Sequence, residues 1–298
     1  MAVIHNAVMN NAVSHNRIFY PASFDELFSV WESFPEAAPY AGGTDITRRQ
    51  ANTLSKQPYP GRPAGLLDLP QSIICLDRLK DLFGITRTEK YLEIGSMVKL
   101  NRIINLGKIV PEVFADCLKN TGGNQLRNIA TIGGNICRPA CRPASSAPLI
   151  ALDAQFELKK AKTSLWMSAN RFFSLPQTAL GRHELLTRIR IPLDQWDYSV
   201  YKKFKNQTGS GTGEALVFMV KTQKNILTSI RVVCKTGIIL RSKDIEAMLI
   251  GKSLPLGRKI AGDFAESWNH LLSGTEEISE VSRGEFLNSI TEHIYNLC

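Results

Sequence analysis

Ala41-Gly42-Gly43-Thr44-Asp45 and, well downstream, Leu126-Arg127-Asn128-Ile129-Ala130-Thr131-Ile132-Gly133-Gly134-Asn135-Ile136 are the stretches on which the reading of this chain turns. Each contains a Gly-Gly pair followed by small polar residues, and each pair reads as a tight turn leaving a short strand, over 37–41 and 126–132 respectively. Lacking a Cβ, glycine lets the backbone come close to a bound group, and successive N–H groups can then cup an anion. One such turn is commonly only a turn. Two of them allow two loops to grip one pyrophosphate from opposite sides.

Upstream of the first turn, Ser23 and Glu26 form an S-x-x-E capping box, and Phe24, Leu27, Phe28 and Trp31 make an apolar stripe at helical spacing that Pro35 ends. Order is expected to begin at Pro21. Residues 57–65, rich in Pro and Gly, read as a loop between two lobes, with short strands over 66–69 and 91–95. Pro111 opens a helix to Lys119 as its first residue. Residues 147–158 read as a buried helix running into a strand, and Leu186, Ile189 and Ile191 as a strand stopped by Pro192. The charged and aromatic stretch that follows marks a boundary, dividing the chain into a polar arm (1–16), a two-lobed region (17–193) and a C-terminal region (194–298).

In that last region, strands around 217–221 and 230–234 pair. Two amphipathic helices follow, one carrying Ile260, Phe264, Trp268 and Leu271, the other Phe286, Ile290 and Ile294 behind a second S-x-x-E box at Ser282 and Glu285. Strands grouped with helices at the end predict an α+β fold. The glycine-rich run 209–213 opens no helix of a βαβ unit and reads as a surface loop.

The composition agrees with a folded chain. At 298 residues, 44% hydrophobic and 21% charged, it has length for two domains and apolar content for a core. No apolar run approaches the ~20 residues of a membrane span, and the N-terminus lacks the layout of a secretory signal, so a cytoplasmic protein is expected. The net charge of +9 is scattered and accompanied by no nucleic-acid-binding pattern. Of six cysteines only Cys137 and Cys141 lie close together, and two thiolates fall short of the four ligands of a zinc or iron–sulfur site. Reduced thiols and no metal are expected.

The double glycine motif with its spacing, together with Leu149-Ile150-Ala151-Leu152-Asp153-Ala154, Glu184-Leu185-Leu186, Ile191-Pro192 and Tyr201-Lys202-Lys203-Phe204, resembles the FAD-binding medium subunit of the molybdenum hydroxylases, as in bacterial xanthine dehydrogenase and carbon monoxide dehydrogenase. The resemblance implies a two-lobed flavin-binding domain of the vanillyl-alcohol-oxidase type, then a smaller α+β domain. It places FAD between the lobes, with Ala41, Gly42, Gly43, Thr44 and Asp45 on one side of the pyrophosphate and Ala130, Thr131, Ile132, Gly133, Gly134 and Asn135 on the other. Leu186 aligns with a position near the adenine and Lys203 with a lysine near the cofactor. The implied role is electron transfer from [2Fe–2S] clusters on one partner, fed by a molybdenum–pterin subunit, to NAD⁺ or another acceptor. No catalytic dyad is required of this chain, because the cofactor carries the redox chemistry.

The chain departs from that pattern after the second turn. Relatives have a small polar stretch with an Asp that contacts the flavin; here the sequence is Cys137-Arg138-Pro139-Ala140-Cys141-Arg142-Pro143-Ala144-Ser145-Ser146. Ala144 aligns with the Asp unless Ser145 or Ser146 takes its role, and two arginines and two prolines have been gained. Gln207 stands where relatives commonly have an arginine. These departures motivate an alternative, a flavin-free structural subunit of the same kind of complex.

Overall fold

Three short strands, Arg17–Phe19 (β1), Ala38–Tyr40 (β2) and Ser72–Cys75 (β3), form a parallel sheet in the order β1-β3-β2. The structure is a computed structural model and describes residues 17–47, 70–138, 142–174, 180–204 and 213–298. Helix α1 (Phe24–Ser33) crosses from β1 to β2 and starts where the capping box puts it: Ser23 Oγ accepts from the Glu26 N–H at 3.2 Å. Glu26 reaches back to the Ala22 N–H at 2.8 Å, one residue beyond the usual partner. Leu27, Phe28 and Trp31 are buried with Phe19, Ile74 and Leu82, and the Trp31 indole donates to Ala37 O at 2.8 Å. β1 lies ahead of the expected start of order at Pro21; three residues are too few to display an alternation. The expected loop at 57–65 and strand at 66–69 lie outside the described residues.

The second lobe is a five-stranded antiparallel sheet of order β4-β5-β8-β6-β7, built from Ile85–Arg87 (β4), Tyr91–Gly95 (β5), Gln155–Lys160 (β6), Thr163–Ser168 (β7) and Leu185–Pro192 (β8). Helices Leu100–Ile104 (α2), Glu112–Lys119 (α3), Asn124–Ile129 (α4), Ile132–Ile136 (α5), Ser146–Ala151 (α6) and Ala169–Ser174 (α7) complete it. Pro111 is the residue before α3 rather than its first. Leu92, Ile94, Phe156, Leu158, Ile189 and Ile191 point inward onto Phe114, Leu149 and Phe172. The opposite face carries a charge ladder. Arg188 holds Glu157 through Nε at 2.8 Å and Nη2 at 3.1 Å, and Arg190 Nε donates to Glu93 at 2.7 Å. Burial works against the Glu157 carboxylate, but its bonds from Arg188 and Thr187 outweigh that and hold its pKa below the usual range.

Tyr198–Phe204 (β9), Glu214–Gln223 (β10), Ile226–Lys235 (β11) and Ile239–Leu240 (β12) form the third sheet, order β12-β11-β10-β9, followed by Lys243–Ala247 (α8), Arg258–Ser273 (α9) and Glu280–Tyr295 (α10). β10 is buried on both faces from Glu214 to Val220. Val217 and Met219, with Val233 of β11, join the core of the second lobe, whereas Leu216, Phe218 and Val220 pack with Phe264, Trp268, Phe286 and Ile290 beneath α9 and α10. The α10 cap is Ser279, whose Oγ accepts from the Ser282 N–H at 3.1 Å. Ser282, the expected cap, lies inside the helix and donates to the buried Glu214 at 2.9 Å. An ionic clasp ties this sheet to the turn after α6: Arg231 and Arg241 both pair with Asp153, and Arg241 also holds Glu246 through Nε at 3.0 Å. Among the described residues no helix is long and apolar enough to cross a membrane.

Candidate functional site

The first glycine turn leaves the end of β2, where a parallel sheet exposes backbone to ligands. Gly43 is in the left-handed region at φ +67°, and a Cβ there would collide with the Tyr40 hydroxyl. Residues 44–47 then wind into a helical turn whose first internal bond is Thr47 N–H to Gly43 O at 3.1 Å. The amides of 44–46 therefore have no i−4 carbonyl within that turn, the situation that favours an anion. Gly42 serves a different purpose. Its Cβ would strike the Ile129 carbonyl and stand 3.2 Å from Ala130 Cα, so the absence of a side chain here lets the two loops touch.

The second turn differs from its expected form. It follows a helix, α4, not a strand, and Gly133-Gly134 fall in the first turn of α5, with Thr131 as the cap. Leu126, Ile129 and Ile132 recur every third residue, a helical spacing that a strand, with its period of two, does not have. The amides of this loop are engaged within the chain: Ile132 N–H to Val98 O at 3.0 Å, Gly133 N–H to Ser96 O at 2.8 Å and Asn135 N–H to Thr131 O at 3.0 Å. The Gly134 N–H donates to Thr131 Oγ1 at 3.1 Å. Gly133 is glycine because a Cβ would stand 2.7 Å from Ser96 Cβ; Gly134 is exposed and 3.9 Å, by the same construction, from Ala41 Cβ.

Where the two loops meet there is a cleft of about 270 Å³, just under the ~300 Å³ at which ligand pockets usually begin. Of the expected site residues, Thr44, Asp45, Ala130, Gly134, Asn135 and Lys203 line it. Ala41, Gly42, Gly43, Thr131, Ile132 and Gly133 are not among the lining residues. Leu186 is buried in β8 within the second-lobe core, away from the cleft lining. The Lys203 ammonium donates to Asn120 O at 2.9 Å, at the C-terminal end of α3 where a cation is favoured. Arg127 adds bonds to Lys119 O at 2.9 Å and Gly122 O at 2.6 Å, fixing the same wall.

The lining also includes Asn120, Thr121, Gly122, Pro143 and Arg138, which the sequence reading did not assign to the site. The Gly122-Gly123 pair, with Gly122 at φ +60°, was the available signal for the first three. Ala144 lines the cleft and brings no carboxylate. Ser145 and Ser146 are both buried, Ser145 donating to Asn135 Oδ1 at 2.5 Å and Ser146 to Pro143 O at 2.7 Å, so neither hydroxyl replaces the missing acid. The acidic group present is Asp45, paired with Arg138 Nε at 2.7 Å. Burial pushes the Cys137 thiol up to about 12, which keeps it protonated. Cys141, Gln207 and residues 209–212 lie outside the described residues.

The arrangement suits a phosphate-bearing dinucleotide: a side-chain-free glycine edge, the turn at Thr44 and Asp45, the cations Arg138 and Lys203, and apolar contacts from Leu100, Leu126 and Pro143. A larger cavity of about 470 Å³ lies over the outer face of the five-stranded sheet. Its charged lining includes Glu93, Glu157 and Arg188, which satisfy one another, and neither quoted glycine turn reaches it.

Residues 62–194 match the family model described as the FAD binding domain in molybdopterin dehydrogenase. The chain is 28% identical over 247 residues to the glyceraldehyde dehydrogenase medium chain of Sulfolobus acidocaldarius, covering 79% of this chain and 84% of that one. It is 27% identical over 188 residues to the putative xanthine dehydrogenase FAD-binding subunit of Escherichia coli, covering 62% of this chain and 60% of that protein's length. A chain of carbon monoxide dehydrogenase from Hydrogenophaga pseudoflava superposes with a TM-score of 0.72 at 21% identity, over 94% of each chain, a likeness of fold.

Proposed function

From the match of residues 62–194 to the FAD binding domain model of molybdopterin dehydrogenase and the similarity to medium-chain and FAD-binding subunits, we propose that this chain is such a subunit and holds FAD across the glycine-lined cleft as the electron-transfer part of a molybdenum hydroxylase complex. Bound there, FAD supplies the exchange between single electrons arriving from [2Fe–2S] clusters and the hydride equivalent leaving to NAD⁺ or another acceptor. The partners on this reading are a [2Fe–2S] subunit and a molybdenum–pterin subunit. The observation that carries it is the direct meeting of the two glycine loops, Gly42 against Ile129 O and Gly134 facing Ala41, around one cleft.

The chain's own work is to bind and orient. The turn at Thr44 and Asp45 would set its backbone against a pyrophosphate, with Arg138 and Lys203 as nearby cations. Since the amides of 132–135 are engaged within the chain, the second loop contributes shape at Gly134 and the Asn135 side-chain amide, whose Oδ1 is oriented by Ser145. Leu186 acts through the packing of β8 behind the cofactor. We assign the division into an arm (1–16), a flavin region (17–193) and a C-terminal region (194–298) on the same reading. Buried thiols such as Cys117 and Cys234 suit a reducing, cytoplasmic setting.

The test is a visible absorbance spectrum of the purified full chain, with FAD extracted after denaturation. Near-stoichiometric FAD is expected. A colourless chain that also refuses added FAD would reverse the reading in favour of a flavin-free structural subunit. That alternative draws on the lack of a carboxylate over 142–146 and on the engaged amides of the second loop.

A further inference from the structure

Resting on the flavin reading above, the geometry points to Arg138 as a phosphate-gripping residue of the cleft, held in position by Asp45. The two side chains come from opposite loops, Asp45 from the turn after the first glycine pair and Arg138 just beyond α5. They meet with Nε 2.7 Å from Oδ1, and both line the cleft. Both are largely buried, at 18% and 20% side-chain exposure, so the contact is shielded from solvent screening.

The other basic side chains around the site are anchored to neighbouring loops. One N–H of the Lys203 ammonium goes to Asn120 O, and Arg127 donates to Asn101 Oδ1, Lys119 O and Gly122 O. Arg142 Nε donates to Phe173 O and its Nη1 to Gly237 O, each at 2.8 Å. Arg138 makes no hydrogen bond to a described residue other than the one to Asp45, and that bond uses Nε. Nη1 and Nη2 remain, and they form the edge of the guanidinium that pairs with two oxygens of one phosphate. Asp45 therefore has a positioning role: by taking Nε it fixes the plane of the fork before ligand arrives, which reduces the ordering cost of binding. The pyrophosphate is the part of FAD that such a fork recognises; the riboflavin part offers it no charge.

The experiment compares equilibrium binding of FAD and of riboflavin, by quenching of flavin fluorescence, to the apo form of the full chain and its R138Q, R138K and D45N variants. Thermal melting is followed in parallel. R138Q is expected to raise the Kd for FAD at least tenfold while leaving that for riboflavin within about twofold. R138K should fall between wild type and R138Q, since it keeps charge but loses the fork, and D45N should weaken FAD by a smaller factor than R138Q. A loss of FAD and riboflavin affinity by the same factor would show a merely structural clasp between the loops and overturn the assignment. So would an R138Q chain that binds FAD as wild type does. If R138Q fails to fold, R138K decides: unchanged FAD affinity overturns the assignment, and a loss specific to FAD supports it. A wild-type chain that binds neither ligand overturns the flavin reading itself and this assignment with it, an outcome visible before any variant is made.

Discussion

Gly42, Gly43 and Gly134 look alike in the sequence and do different things in the structure. Gly43 is required by its own backbone, at φ +67° with the Tyr40 ring in the way. Gly43→Val should destabilise the chain and release FAD, with the melting temperature and cofactor content falling together. Gly42 is required by a neighbour's backbone, and Gly42→Ala should cost about 1–3 kcal/mol through overpacking against Ile129, measured by denaturant unfolding. Gly134 is exposed, and its nearest obstacle is Thr131 Oγ1 at 3.0 Å. Gly134→Val should therefore leave melting close to wild type and abolish stoichiometric FAD. If FAD stayed stoichiometric in both valine variants, the pyrophosphate assignment would be wrong. The positions were legible in the sequence because Gly-Gly pairs are rare enough to mark; what each glycine is for was not, because that depends on which atoms come within 3 Å.

At the scale of elements, the α10 cap separates two readings of nearly the same residues. Ser279→Ala should cost about 1 kcal/mol as a lost cap. Ser282→Ala should cost about 1–3 kcal/mol for another reason, by withdrawing a partner from the buried Glu214 carboxyl. The pattern S-x-x-E at 282–285 pointed to the wrong serine because S-x-x-S at 279–282 caps equally well and only the path of the preceding chain chooses between them. On the five-stranded sheet, Glu157 has a lowered pKa, so its contribution to stability is complete above the unfolded value of ~4.3 and is lost as the pH falls through the lower folded value. Glu157→Gln should reduce stability at pH 7 and flatten its dependence in that acid window, as followed by urea midpoints from pH 7 to pH 3. The strands with clear punctuation, β2, β5 and β8, were readable. β1, β3, β4 and β7 are three to six residues long, and chance produces such runs as readily as structure does.

At the scale of the whole molecule, the C-terminal sheet is shared. Val217, Met219 and Val233 complete the core of the second lobe while the opposite face of the same strands seats α9 and α10. A single cooperative thermal transition, read by calorimetry and by far-UV circular dichroism together, is therefore expected of the full chain. Asp153→Ala should weaken the join by about 1–2 kcal/mol, a value kept small because Asp153 is half exposed, with Arg231 and Arg241 both losing their shared anion. The variant is expected to lower the transition while leaving FAD content unchanged, since the clasp is remote from the cleft lining.

The sequence by itself determined the fold class, the α1 start, the β10–β11 pairing and where the two glycine pairs fall. These are local or short-range properties: a cap, a period, a residue without a Cβ. Only the tertiary structure decided that the second loop's amides are engaged within the chain, which arginine faces the cleft with donors to spare, and that β10 is buried on both sides. The reason is common to all three. A hydrogen-bonding group's partner is chosen by residues far away in the chain, as Ser96 is for Gly133 and Asp45 for Arg138, and no local pattern encodes a choice made across 37 or 93 positions.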